Sequence, residues 1–410
     1  MRILWLKTGP LHPLDTGGKL RTFHMLRELA RENHVTYLSL LPPGAGEDVQ
    51  KAASEYSAEQ IWIPWKETPK RSPSFFAEVA ANALLSRRPY VIDKYCSACM
   101  AEVIQNEDHS ERQDLIVCDF LTPAVNLFNG KPLATPTLLF QHNVESLIWQ
   151  RHRDTARGPK RLYFANQWWR MQRFERTACR ASSAVVGVSE TDCAILRNNF
   201  GLTNVLGSVP TGVDTAYFSP TTEAKKPKSL VFLGSMDWMP NVDGALWFTQ
   251  EIWPEVKRAH PDVTLAIVGR NPSPAVRQLA ERDPAIRVTG SVSDVRPYLA
   301  EAELMIVPLR IGGGTRIKIF EGMAAGLPVL STTIGAEGLD VHAGADIALA
   351  DSPAEFAGEI ASLLEQPQRR QLLAENGLRL VREKFSWESV NRVFSGYCQA
   401  AARLASATRR

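Results

Sequence analysis

No apolar run in this sequence approaches the ~18 residues that a membrane span needs. There is no Asp-x-Asp motif anywhere, so a metal clamp on a diphosphate has no obvious ligands, and no metal site is expected. Cysteine is scarce: six residues, at 96, 99, 118, 179, 193 and 398, with one Cys-x-x-Cys (Cys96, Cys99) and no nearby histidine couple. That spacing excludes a zinc ribbon and leaves a redox pair without its βαβ context; the thiols read as buried side chains in a reducing compartment. Net charge is only +3, too little to argue for a nucleic-acid partner. The start, Met1 to Lys7, is too short for a signal-peptide core and reads as a first strand, so a cytosolic protein is expected, at most peripheral at the inner membrane face.

What the chain does have is glycine placed between strands and helices. The richest stretch follows an apolar strand, Leu304 to Val307, and runs through Gly312, Gly313, Gly314 and Thr315 into a helical pattern with Ile317, Phe320, Met323 and Ala324 on one side. Gly326 and Pro328 stop that helix and Val329 opens the next strand. Glycines let backbone N–H groups approach a ligand, and a helix start favours negative charge. Arg316 and Lys318 put two cations on the first turn, which the helix dipole opposes unless an anion sits between. The stretch is thus either a phosphate site or a tight turn with solvated bases.

The rest is read in order. Arg2 to Lys7 is a strand; a loop with Gly17 and Gly18 opens a helix from about Leu20 to Arg31; Val35 to Leu40 is the next strand. This βαβ unit lacks the GxGxxG fingerprint, so the glycine pair serves either a bulky ligand or a turn. Residues 74–105 are helical in pattern, and Leu115 to Cys118 is a strand ended by Asp119. The strand Thr137 to Phe140 runs into Gln141 and His142, and a polar group at the carboxyl end of a parallel strand is a site candidate as well as a structural histidine. Residues 151–180 hold nine Arg or Lys against Asp154 and Glu175, with Phe164, Trp168, Met171 and Phe174 at helical spacing. Such a helix either lies on an anionic membrane or packs on the core with its arginines in water. A polar linker near residue 220 leads to a second run of strands and helices: Leu230 to Leu233, a helix from Val242 to Arg258, Thr264 to Val268, Ile286 to Val288, and then the opening stretch. The expected fold is α/β, with two Rossmann-like doubly wound domains facing across a cleft: residues 1–205, completed by a C-terminal helix 387–410, and residues 206–386.

Four stretches in this order resemble the GT-B glycosyltransferases of the retaining family four: Gly17-Gly18 with Arg21 and Leu26; Val186-Gly187-Val188-Ser189; Pro210 to Asp214 with Phe218; and Lys318 to Val329. The glycine loop 312–318 is similar to sugar transferases of bacterial exopolysaccharide clusters, including those associated with PEP-CTERM sorting systems. The resemblance implies a nucleotide diphosphate-sugar donor held by the second domain and no separate cofactor. Glu321 would hold the ribose hydroxyls, Arg316 and Lys318 the diphosphate, and Gly234, Gly290, Gly312, Gly313, Gly314 and Thr315 would line the donor site. Gly17 and Gly18 would lie near the sugar phosphate and His142 near the sugar; His142, Arg316 and Lys318 are the candidate catalytic groups. The acceptor would be a saccharide or lipid-linked saccharide, with 151–180 as the membrane contact. Two departures stand out. The family's first glutamate, eight positions before Glu321, falls on Gly313, and the Arg and Lys usual after the first strand of the second domain are missing from Gly234 to Asn241. The expectation is that Arg316 and Lys318 supply the lost charge. The alternatives are a nucleotide-sugar epimerase of the same fold and a non-catalytic nucleotide-sugar or glycan-binding partner.

Overall fold

The structure is a computed structural model that describes residues 1–128, 132–222, 224–311 and 316–408, with side chains described through residue 404. The chain divides into two compact units, Met1–Pro210 with Val390–Arg410, and Thr211–Ser389. Each is built on one sheet in which every strand pair is parallel.

The first unit holds β1 (Arg2–Lys7), β2 (His34–Leu41), β3 (Glu59–Pro64), β4 (Leu115–Asp119), β5 (Thr137–Phe140), β6 (Ala184–Gly187) and β7 (Val205–Ser208), in the order β3-β2-β1-β4-β5-β6-β7. Strand β1 is central, and Ile3, Leu4, Trp5 and Leu6 are all fully buried, as a parallel sheet covered on both faces requires. Each such side chain contributes roughly 1.5–3 kcal/mol relative to leaving it in water. Residues of the last helix, Trp387–Thr408, complete this core: Phe394 packs edge-on against Trp5 and tilted against Phe140, at centroid distances of 5.7 and 5.0 Å.

The second unit holds β8 (Ser229–Leu233), β9 (Thr264–Val268), β10 (Ile286–Val288), β11 (Leu304–Val307), β12 (Val329–Ser331) and β13 (Ala348–Leu349), in the order β10-β9-β8-β11-β12-β13. In both sheets the order reverses beside the first strand of the unit, and such a switch point is where open α/β sheets bind ligands. No described helix is long and apolar enough to cross a membrane.

Four sequence expectations need correction. Strand β3 was not expected; it is a half-exposed edge strand whose Gln60 and Pro64 dilute the apolar signal. The helical pattern 74–105 is three helices, Pro73–Leu85, Tyr90–Asp93 and Ala98–His109, broken before Pro89 and restarted by Ser97, whose hydroxyl accepts from Met100 N. Residues 151–180 lie in two helices, Glu145–Thr155 and Pro159–Ala181, parted at Gly158, which has φ +59°. The helix from Val242 to Arg258 is interrupted by a wide turn at Phe248–Ile252, just ahead of Pro254, whose ring nitrogen cannot donate.

Candidate functional site

In the first unit, β1, β4 and β5 are neighbours, so their carboxyl ends bring Lys7, Asp119 and His142 side by side. Asp119 Oδ2 accepts from Lys7 Nζ (2.5 Å), Thr22 Oγ1 (2.7 Å) and Trp5 Nε1 (3.3 Å), and Oδ1 lies 2.7 Å from His142 Nε2. Lys7 also donates to Thr22 Oγ1 at 2.8 Å. Burial pushes the Asp119 carboxyl up, but Lys7 and His142 outweigh it and hold the group well below the usual carboxylate range. Burial pulls His142 down to about 4 despite Asp119. The imidazole is therefore neutral at pH 7, donates from Nε2 to the carboxylate, and keeps Nδ1 as an acceptor.

Phe120 frames this cluster from a left-handed backbone, φ +72°, a conformation that costs a non-glycine residue of order 1–3 kcal/mol and recurs at functional sites. Its ring stacks on His142 at 3.7 Å, and Lys7 Nζ lies 4.1 Å above its centroid. A Cβ on Gly18 would stand 3.0 Å from Phe120 Cζ, so the glycine gives the ring room. Gly17 opens the Gly17–Leu29 helix, and the Thr16 hydroxyl caps it through Lys19 N. Arg21, one turn on, donates to Val209 O at 2.6 Å; burial lowers it to about 10, and its buried Nε has no hydrogen-bond partner. The His142 loop is fixed from behind by the buried Glu175, which accepts from the N–H groups of Glu145 (2.7 Å) and Ser146 (3.0 Å) at the start of their helix. Burial raises Glu175 to about 7.

In the second unit, Gly234 directly follows β8. A Cβ there would come within 2.5 Å of Asn241 Nδ2 and 2.8 Å of Lys318 Nζ, and a Cβ on neighbouring Gly269 would strike Gly234 O at 1.6 Å. Asn241, in the first turn of the Met239–Trp247 helix, donates to Ser235 O at 2.9 Å and accepts from Lys318 Nζ at 2.7 Å. Lys318 reaches this point from the Ile317–Ala324 helix, with its ammonium 5.1 Å over the Phe232 ring. Burial lowers Lys318 to about 7 against the pull of Glu321, one turn along. Burial likewise raises Glu321 to about 7 against Lys318. Arg316, whose charge also helps to lower Lys318, donates from Nη2 to Ile334 O (3.0 Å) and Glu337 Oε2 (3.2 Å). Gly290 follows β10 with φ +71° and open space where a Cβ would sit. Nearby, Asp294 holds Arg296 at 2.7 Å, and Arg296 lies 4.1 Å over the Tyr217 ring. Gly312, Gly313, Gly314 and Thr315 lie outside the described residues.

The structure thus joins Gly18 to His142 through Phe120, and Gly234 to Lys318 through Asn241. It gives Arg316 partners in the segment 334–337. Sequence reasoning passed over Asp119, Lys7, Asn241 and Glu175. Asp119 and Lys7 carried the same signal as His142, a polar residue closing a buried strand.

Residues 227–366 match the family model described as Glycosyl transferases group 1. The chain is 26% identical over 281 residues to an MMP alpha-(1->4)-mannosyltransferase of Mycolicibacterium hassiacum, covering 63% of this chain and 67% of that protein. It is 25% identical over 239 residues to a GDP-mannose-dependent monoacylated alpha-(1-6)-phosphatidylinositol monomannoside mannosyltransferase of Corynebacterium glutamicum, covering 53% of this chain and 62% of that protein. Among solved structures, sucrose-phosphate synthase of Thermosynechococcus elongatus superimposes with a TM-score of 0.66 at 16% identity, covering 98% of this chain and 100% of that one. Anabaena HepE in complex with UDP does so at 0.65 and 14%, with the same coverage. The fold is that of two parallel-sheet α/β domains like those of GT-B glycosyltransferases, and the second unit carries the group 1 glycosyl transferase match.

Proposed function

We propose that this protein transfers a sugar from a nucleotide diphosphate-sugar to an acceptor hydroxyl, with retention at the anomeric carbon and without a metal clamp. One observation carries the donor side: the Lys318 ammonium is delivered to Asn241, beneath Gly234, at the carboxyl edge of the second sheet. This is the segment where the resemblance leads one to expect an Arg and a Lys. The helix therefore supplies from below a cation that the loop does not carry. A diphosphate in that position has Lys318 and backbone N–H groups as counter-charge, and Glu321 on the same helix is placed to accept from ribose hydroxyls. Arg316 orders the Ile334–Glu337 segment and supports the donor site through it. HepE, a structural neighbour, is described in complex with UDP and with UDP-glucose, which supports a nucleotide-sugar donor here.

On the first unit, neutral His142 fixed by Asp119 offers Nδ1 to a hydroxyl of the transferred sugar, and Arg21 and the helix start at Gly17 suit an anionic group. The leaving phosphate takes the acceptor proton in a front-side attack, as the resemblance implies for a sequence that offers no convincing carboxylate pair as nucleophile and acid. The acceptor is a saccharide or lipid-linked saccharide of polysaccharide synthesis, handled at a membrane face that the basic segment 151–180 adjoins.

A thermal-shift screen with UDP-, GDP-, ADP- and dTDP-sugars identifies the base first and the sugar second. Arg316→Ala with Lys318→Ala abolishes transfer from the donor so identified. Near-normal turnover in that double variant defeats the reading.

A further inference from the structure

The Pro73–Leu85 helix is built inside out. Its sequence, Pro-Ser-Phe-Phe-Ala-Glu-Val-Ala-Ala-Asn-Ala-Leu-Leu, holds one charged residue, yet its one buried residue is Asn82. Leu84 and Leu85 are 83% and 84% exposed, and Phe76 is 60% exposed. Asn82 faces inward, whereas Glu78 is exposed at the edge of the apolar face. Asn82 Nδ2 donates to Asp93 Oδ2 (2.9 Å) and Arg88 O (3.2 Å), and Glu78 accepts from Tyr90 Oη (3.1 Å). They overlie a cavity of about 480 Å³ lined by Trp65, Glu67, Tyr90 and Lys94, among others. Water-soluble surface helices have the opposite polarity, and a contiguous exposed apolar face marks an interaction site.

The neighbouring Pro159–Ala181 helix extends this face. Its Arg170 is buried and donates to the carbonyls of Asn82 and Ala83, both at 2.8 Å, which locks the two helices together. One stripe of that helix, Leu162, Asn166, Trp169 and Arg173, is exposed along its length. Charge on the two segments is lopsided. Residues 66–88 and 151–180 together hold fourteen Lys or Arg and four Asp or Glu, a net +10, whereas the whole chain is +3, so everything else is net −7.

Exposed leucine, phenylalanine and tryptophan set among cations match the boundary between lipid headgroups and acyl chains. We propose that the Pro73–Leu85 helix, with the Leu162–Arg173 stripe beside it, docks on an anionic lipid bilayer. The apolar side chains enter the acyl boundary, and cations such as Arg87 and Arg173 meet the lipid phosphates. The apolar anchor is thus a helix outside the basic segment 151–180, which supplies charge. This deepens the acceptor side of the function proposed above. It can fail alone, because the donor-induced thermal shift needs no vesicles.

The test is flotation of the full chain with vesicles of phosphatidylcholine, alone or mixed with phosphatidylglycerol. The wild type is expected to float with the anionic vesicles at low salt and to be released by added salt. Leu84→Ser with Leu85→Ser, at positions more than four-fifths exposed, is expected to melt like the wild type and to lose roughly tenfold or more in partition coefficient. Phe76→Ser, at the other end of the helix, is a second variant with the same expected direction should the first melt early. Equal recovery of the wild type from neutral and anionic vesicles overturns the proposal. So does wild-type flotation of the leucine variant. A wild-type dimer in sedimentation that the leucine variant loses, without vesicle recovery, assigns the face to a second copy of the chain and also overturns it.

Discussion

The pair Lys318 and Glu321 makes the donor site sensitive to pH in a way that can be worked out beforehand. A lysine lowered from 10.5 to about 7 pays roughly 5 kcal/mol for its charge in the protein alone, at ~1.4 kcal/mol per unit. A diphosphate beside the ammonium reverses that penalty, so binding above pH 7 draws in a proton. The productive form has Lys318 cationic and Glu321 anionic. Glu321, raised to about 7, is ionised only above that pH, and Lys318 is protonated only below it. The kcat/KM for donor is therefore expected to be bell-shaped about neutrality, each limb falling about tenfold per pH unit away from the centre. The two limbs belong to the coupled pair in the wild type, and substitution separates them. Lys318→Met keeps the apolar stem, removes the alkaline limb, and lowers kcat/KM by ~10²–10³, the usual cost of losing a charge-stabilising contact. Glu321→Gln removes the acid limb and leaves the alkaline one. Calorimetry at pH 8 in two buffers of different ionisation enthalpy, with the nucleoside diphosphate chosen by the thermal-shift screen, is expected to register uptake of close to one proton by the wild type. Lys318→Met is expected to register almost none. An unchanged alkaline limb and unchanged proton uptake in Lys318→Met would refute the reasoning.

Three further predictions concern packing and charge. Asp119→Asn keeps the shape but strands the buried Lys7 ammonium, and a loss of about 3–5 kcal/mol is expected in urea titrations. In the same titrations His142 gives a signed pH effect. Its pKa is 6.5 unfolded and about 4 folded, so the unfolded chain binds the extra proton between those values and stability falls as pH drops through that window; His142→Gln flattens the slope. Gly234→Ala places a methyl 2.5 Å from Asn241 Nδ2 and 2.8 Å from Lys318 Nζ. Displacing the ammonium by about an ångström is expected to cost ~10²-fold in kcat/KM for donor, measured by steady-state kinetics.

Much of the scaffold was legible because parallel strands buried on both faces are written as short apolar runs. Arg2 to Lys7 is read from the sequence to the residue, and Leu304 to Val307 with the helix after it nearly so. The strand at Glu59–Pro64 escaped because an edge strand is half in water and need not be apolar. The Asp119 cluster escaped for another reason. Its contacts span 23 residues to His142 and 112 to Lys7, and they become visible only once the strand order places β4 between β1 and β5. His142 is legible as a candidate because a polar residue closing a buried strand stands out by itself. Arg170 is one of the nine basic residues of 151–180, and its guanidinium donates to two carbonyls at the end of another helix, a partnership with no trace in local spacing. The Pro73–Leu85 helix is the instructive case. Its composition is that of a core helix, and only the fold reveals that Phe76, Leu84 and Leu85 are left exposed by the described residues.

The grouping of residues 390–410 with the first unit has a consequence for biosynthesis. Strands β1 and β5 leave the ribosome early, but the Phe394 ring that covers Trp5 and Phe140 is made only after the whole of the second unit. At ~5–20 residues per second, the roughly 180 residues from Thr211 to Ser389 take about 10–35 s to translate. Through that interval the nascent first unit carries an unsealed aromatic surface, while the second, continuous in sequence, is free to fold. Newly made chains are thus most prone to misassociation before residues 390–410 appear, and a variant lacking Phe394 would prolong that state indefinitely.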